Sequence, residues 1–420
     1  MAKTVVFLVH GMGNANSGWS TGKGGPVPTL IKAANHYPAF SDDQPLTGAI
    51  KFVEITYNDI FDGIRQQWAD LAASLRADGV PEAAAEDVEK IAGLVASANA
   101  DDFIATHILD VGLYCGFRVI QRLVQLKVAS QMMKTIAENI GEPGERRRFI
   151  VVAHSLGTTI AHDAIQRMAT AGWLSNADEV LQAMNTTGVG ESVTRADIQA
   201  AIDAHGTNPF APGKFRFEAI FQIANTSRLL GRTKPPYHSV VRPMYAGGPL
   251  ETSTGLFYNV DHRLDPIGKL RRHRAEEAWP ESAIDYTAED LFDIRHLHDI
   301  NVHSLEHYLI HPRVHANLFY AASPWRFTDS HFQLAMDRLA PDGDFPQIGP
   351  KYMDEDVNEE IRRRLLEILP DTPGKIPDVI QERAEGLLAS VTLPKDVIKW
   401  AGMMLALENI IDEVRKEIGQ

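Results

Sequence analysis

Residues 148–157 read RFIVVAHSLG, and 158–165 continue as TTIAHDAI. An apolar, β-branched run leads straight into Ser155, and a helical pattern starts directly after it. A short apolar run without alternation suits a strand buried on both faces, as in a parallel sheet. A strand that turns sharply into a helix around a serine strains the backbone and lifts the hydroxyl clear of the sheet. Ala153 and Gly157, two residues to either side, are small enough to let that turn close. The free N–H groups at the helix start face the place where negative charge would develop. The pattern is Gly-x-Ser-x-Gly with Ala153 in the first position, and Ser155 is the candidate nucleophile.

Outward from this stretch, further runs predict strands at 4–9, 51–57, 217–223 and 256–260, with a weaker one near 293–300. Helical patterns lie between them. Such alternation predicts an α/β fold, with a mostly parallel central sheet flanked by helices. The connection 59–145 is too long for one crossover helix and reads as a helical insertion, with stretches at about 60–77, 83–98 and 101–140. The apolar residues of 101–140 exceed one amphipathic stripe, which predicts either a helix covering the Ser155 site or one that extends the core or makes a dimer contact. A second insertion, 174–213, has low apolar content. Residues 1–320 read as the catalytic domain, and 321–420, charged and broken by prolines, as a helical extension packed on it.

Composition narrows the function class. The chain has 420 residues, 44% hydrophobic, with a net charge of −14. That balance disfavours nucleic acid, which wants a basic face, and gives no attraction to anionic membranes. Cys115 is the one cysteine, so no disulfide framework exists within the chain, and a reducing, cytoplasmic setting is expected. The run 4–9 is followed by His10-Gly11 rather than a small-residue cleavage site and reads as a buried strand. No stretch of about 18 apolar residues predicts a membrane span.

With its strand–Ser155–helix motif, the chain resembles the α/β-hydrolase superfamily, in particular its serine esterases and lipases, over roughly residues 3–320. The resemblance implies an oxyanion hole with one donor from the residue after the nucleophile, Leu156. The second would be the Met12 amide, in the His10-Gly11-Met12-Gly13 loop that follows the first strand. Gly11 and Gly13 would let that loop approach. Residues 14–25 are glycine-rich, but Lys23 is followed by Gly24, so no phosphate-loop spacing is present.

The superfamily order is Ser, then Asp or Glu, then His. Asp261 and Asp265 follow the run 256–260. Asp265 precedes Pro266, as family members often have it, and is favoured as the acid. Asp261, nearer the strand end, would cap or pair locally. His303, Ser304, Tyr308 and Pro312 match a His-Ser-x-x-x-Tyr-x-x-x-Pro pattern of related lipases and esterases. His303 is therefore the expected base, with His298 as the runner-up. His303, His307, His311 and His315 recur every fourth residue, but Pro312 interrupts any shared helix face, and metal binding is not expected. They read instead as a helix surface rich in imidazoles. His154 is expected to pack near the site without joining the triad.

The resemblance thus implies a serine hydrolase that uses Ser155, Asp265 and His303, with no cofactor and no metal. A small-molecule or lipid carboxylic ester is the first substrate expectation. A thioesterase, an amidase and a non-catalytic scaffold acting as a binding module stay open as alternatives, and oligomeric state is unread.

Overall fold

Six strands form one sheet in the order β2-β1-β3-β4-β5-β6, and every neighbouring pair is parallel. They are β1 (Thr4–Val9), β2 (Ile50–Ile55), β3 (Arg148–His154), β4 (Phe217–Ile223), β5 (Thr254–His262) and β6 (Tyr286–Leu291). The structure, a computed structural model, describes residues 4–11, 17–64, 66, 110–111, 113–115, 118–139, 147–170, 210–230, 234, 238–244, 251–262, 265, 286–291 and 303–339. Parallel strands need crossovers, and helices supply the described ones. These helices are α1 (Pro26–Ala34), α2 (Leu46–Ala49), α3 (Arg118–Asn139), α4 (Leu156–Thr170), α5 (Ser227–Leu230), α6 (Leu305–Ile310), α7 (Pro312–Ala322) and α8 (Asp329–Asp337).

Strand side chains alternate between two cores. Val5, Phe7, Val9, Val151 and Ala153 meet Leu123, Val124 and Val128 of α3 and Ile160 and Ala164 of α4. Val6, Leu8, Ile150, Val152 and Phe221 face the other way, against Leu30 of α1 and Phe319 of α7. Both faces of the sheet are covered, which is why β1 and β3 read as unbroken apolar runs. Fully burying one such Phe or Leu contributes about 1.5–3 kcal/mol.

Three elements add to the sequence reading. The sixth strand is Tyr286–Leu291; the run near 293–300 lies outside the described residues. Its sequence, YTAEDL, carries two acidic residues and stands at the edge of the described sheet, a position that tolerates charge and hides the apolar signal. Secondly, α3 is core rather than a cover over Ser155. Leu123, Val124, Val128, Met132 and Ile136 are buried, and α3 packs on α4 and β2. Arg118, Ser130, Lys134 and Glu138 are on its exposed side. The broad apolar face is taken up by sheet and helix together. Val111, Leu113, Tyr114 and Cys115 join the same core; residues 101–109 lie outside the described set. Thirdly, the core runs on past residue 320. Phe327 and Ala335 pack in the α1 and α7 layer, and Thr4 Oγ1 donates to Ala322 O at 2.5 Å. Residues 67–109 and 171–209, which fall largely within the expected insertions 59–145 and 174–213, and residues 340–420 of the expected extension are outside the described residues. No described helix is long and apolar enough to cross a membrane.

Candidate active site

Ser155 occupies the single-residue turn between β3 and α4, with φ at 53°. Among the described residues only Ala224 is another non-glycine with positive φ. A serine in the left-handed region costs on the order of 1 kcal/mol or more and persists only where its surroundings enforce it. Those surroundings are visible. Ser155 N donates to Ile223 O at 2.9 Å. Its carbonyl accepts from Thr158 N at 2.9 Å, from Thr158 Oγ1 at 2.6 Å and from Thr226 Oγ1 at 2.8 Å. Thr226 N returns a bond to Thr158 Oγ1 at 2.9 Å. Thr226 carries no sequence signal, because it reaches the turn only through the pairing of β4 with β3.

The small residues around Ser155 answer to close packing. A Cβ on Gly157 would lie 2.0 Å from His10 O and 2.8 Å from Val9 O, so the end of β1 presses directly on the start of α4. A Cβ on Gly11 would stand 2.8 Å from Ser155 Cβ and 3.2 Å from His154 Nδ1. The loop after β1 thus touches the serine turn. Leu156, buried, is the first residue of α4. Met12 lies outside the described residues.

Three aromatic rings hold that loop. His10 stacks on Tyr57 with centroids 4.1 Å apart, and Trp19 meets it edge-on at 5.5 Å. The Tyr57 hydroxyl lies 2.6 Å from His10 O and 2.8 Å from Gly11 O. His10 Nδ1 lies 2.7 Å from Gly11 O, and an acceptor there assigns the proton to Nδ1. Burial lowers the His10 pKa from 6.5 to about 4, so its ring is neutral at neutral pH. Glu54, at the end of β2, accepts from Gly18 N at 2.8 Å and Ser20 N at 2.7 Å, and anchors the following segment.

Asp265 lies beyond the end of β5, fully buried, and its Oδ2 is 2.7 Å from His303 Nδ1. With a carboxylate as acceptor, Nδ1 carries the proton and Nε2 is left as the basic nitrogen. The same Oδ2 accepts from the Tyr308 hydroxyl at 2.6 Å. Asp261 is still within β5 and accepts from Asn259 Nδ2 at 2.9 Å. Of the two candidate acids, the structure brings Asp265 to His303. His154 packs its ring against His303, centroids 4.6 Å apart. His298 lies outside the described residues.

The four periodic histidines do not form a surface row. His303 precedes α6 and meets Asp265. His307 is buried against His262, centroids 5.1 Å apart. His311 caps α7, its side chain accepting from Arg313 N ahead of Pro312 at the helix start. His315 lies 2.6 Å from the Tyr37 hydroxyl through Nε2, and burial lowers its pKa to about 3. The proline break separates them into different tasks. No group of three or more His, Cys, Asp or Glu side chains among the described residues could hold a metal ion.

A second set of the same residue types, unsuspected from the sequence, lies on α4. His162 Nε2 is 2.9 Å from Ser239 Oγ, and His162 Nδ1 is 3.2 Å from Asp163 Oδ1. Asp163 Oδ2 also accepts from Tyr114 and Gln125, each at 3.0 Å.

No protein-family model and no curated protein matches the chain. Among solved structures, it is similar at 13% identity and a TM-score of 0.29 to an uncharacterized protein from Pseudomonas aeruginosa. The match covers 100% of this chain, which spans 62% of that protein's length.

Proposed function

We propose that the chain is a serine hydrolase with an α/β-hydrolase fold, cleaving a carboxylic ester, lipid esters included, through an acyl-enzyme. The observation that carries this reading is the positive φ of Ser155 at a strand-to-helix turn, with a buried His303–Asp265 pair packed against the preceding residue, His154. Support comes from placement as well. The three residues follow the ends of β3, β5 and β6 in the order Ser, Asp, His, and ligands of open α/β sheets bind beyond those strand ends.

In the proposed reaction, His303 Nε2 takes the Ser155 hydroxyl proton as Oγ attacks the ester carbonyl. Asp265 holds the Nδ1–H tautomer and stabilises the imidazolium. The carbonyl oxygen becomes an oxyanion, with the Leu156 and Met12 amides as its donors beside Gly11. His303 then gives its proton to the leaving alcohol. Water repeats the sequence on the acyl-enzyme and releases the acid. The Ser155 hydroxyl makes no hydrogen bond to a described residue. Catalytic hydrogen bonds of this kind often tighten only when substrate is bound.

The test is labelling with a fluorophosphonate probe, followed by peptide mapping and an acyl-chain-length series of aryl esters. Modification at Ser155 with ester turnover is the expected result. An intact, folded protein that takes no label overturns the reading in favour of a binding scaffold.

A further inference from the structure

We infer that Tyr308 is a positioning residue that fixes the Asp265 carboxylate and shares its Oδ2 charge with His303; this rests on the hydrolase reading above. Its hydroxyl and His303 Nδ1 converge on one oxygen, Asp265 Oδ2, at 2.6 and 2.7 Å. Tyr308 and Asp265 are both fully buried. A phenol facing a carboxylate can only donate, and its own ionisation is pushed well above 10 by burial and by Asp265. The donor is therefore present at neutral pH.

Two donors on one carboxylate oxygen share its negative charge. The phenol draws density away from the side that faces His303, so the imidazolium is less stabilised than by an unshared aspartate. It also holds the carboxylate against rotation, which keeps Oδ2 on Nδ1. The route is short in sequence: His303 precedes α6, and Tyr308 sits on α6. The start of α6 and the residue just ahead of its cap thus bring both donors to an acid that lies beyond the end of β5.

Other titratable groups crowd the pair. His154 of β3 lies against His303, His262 at the end of β5 faces Tyr308 and His307, and Asp261 acts on Tyr308 through space. Tyr308 bonds directly to Asp265 Oδ2, the oxygen that also holds His303.

The experiment is Tyr308→Phe, which keeps the ring and its packing on His154 and His262. His303 is titrated by imidazole nitrogen NMR, and kcat and KM are followed against pH on one aryl ester. Expected are a His303 titration midpoint raised by about 0.5 pH unit, an acid limb of kcat/KM moved upward to match, and kcat lowered roughly 3- to 10-fold with KM little changed. A folded Tyr308→Phe protein with an unmoved His303 titration overturns the inference, whatever its activity. The NMR shift without ester turnover would sustain the Tyr308–Asp265–His303 coupling and count against the hydrolase reading instead. Should the variant not fold, the wild-type protein decides. A slowly exchanging Tyr308 hydroxyl proton with a nuclear Overhauser contact to the His303 Nδ1 proton is expected, and its absence overturns the inference.

Discussion

Two Ser–His–Asp sets stand out among the described residues, and they differ in how completely their polar atoms are satisfied. On α4, His162 and Asp163 are neighbours within regular helix, and the outer serine, Ser239, accepts from Val241 N at 2.8 Å. With His162 Nε2 at 2.9 Å, that hydroxyl has both a donor and an acceptor role filled. Tyr114 and Gln125 complete Asp163, and Arg167 Nε donates to Gln125 Oε1. This network ties α3 and α4 to the segment before β5. Its φ angles are ordinary, and nothing in it is held ready. Around Ser155 the reverse holds. Neighbouring carbonyls and threonines secure the backbone in the left-handed region, while the hydroxyl itself has no described partner. Buried polar groups are normally paired, and an orphaned one on a strained backbone marks a place where structure serves something other than stability. The three residue types alone do not separate a clamp from the proposed reactive centre; the backbone and hydroxyl of the two serines do differ.

The sharpest way to break this contrast is to remove each serine hydroxyl. Ser155→Ala should abolish fluorophosphonate labelling and lower ester turnover by about 10⁴-fold or more, with thermal stability unchanged or slightly raised. Ser239→Ala should label at the wild-type rate and lose about 1–2 kcal/mol in denaturant unfolding, because His162 and Val241 N lose a partner. Labelling that survives at Ser155→Ala but vanishes at Ser239→Ala would exchange the two roles.

The acids follow the same logic. Asp265→Asn should cut kcat by about 10³- to 10⁴-fold through the wrong imidazole tautomer. Asp163→Asn should retain turnover and cost about 2–4 kcal/mol, since its amide would face the Tyr114 and Gln125 donors. Asp261→Asn, away from His303, should do little to kcat. Single-turnover kinetics alongside urea titration separates these outcomes.

Acid sensitivity comes next. His10 and His315 are held neutral by burial, with folded pKa values of about 4 and about 3 against an ordinary 6.5. Between these values the unfolded chain binds more protons than the folded one, so stability rises with pH across the window. It is fully present above pH 6.5 and declines as pH falls toward 4 for His10 and toward 3 for His315. Together the two should account for a loss of several kcal/mol, on the order of 1.4 kcal/mol for each pH unit separating a folded from an unfolded pKa. A melting temperature that stays flat from about pH 7 to 4 would contradict this. His10→Phe should flatten the upper part of the decline.

The smallest effect tests strain directly. Ser155→Gly should gain up to about 1 kcal/mol, because glycine accepts φ of 53° without penalty. Ser239→Gly, with no such strain, should lose stability in the same calorimetric assay.

Local chemistry was enough to read the first five strands, because strands packed inside a covered sheet carry apolar, β-branched runs. The serine turn was legible from its local strand–Ser155–helix pattern, although the carbonyls that Gly157 must clear belong to β1 and the residue after it, His10. The break at Pro312 was equally local, since proline cannot continue a helix as donor and instead begins α7. What a residue touches across the sheet was beyond that reach. The charged edge strand β6 carried too weak an apolar signal to stand out. The wide face of α3 was legible, but whether it covered Ser155 or filled the space between the sheet and α4 depended on where the helix lies. Asp265 and Asp261 are alike in type and four residues apart. Only the path of the chain beyond β5 brings one to His303 and leaves the other beside Asn259. The roles of Thr226, Tyr57 and Tyr308 are of this second kind. Sequence periodicity reports which side of an element is buried, because burial is set within one or two turns. A hydrogen bond spanning 71 positions, from Thr226 to Ser155, is set by strand pairing, and only the assembled sheet decides it.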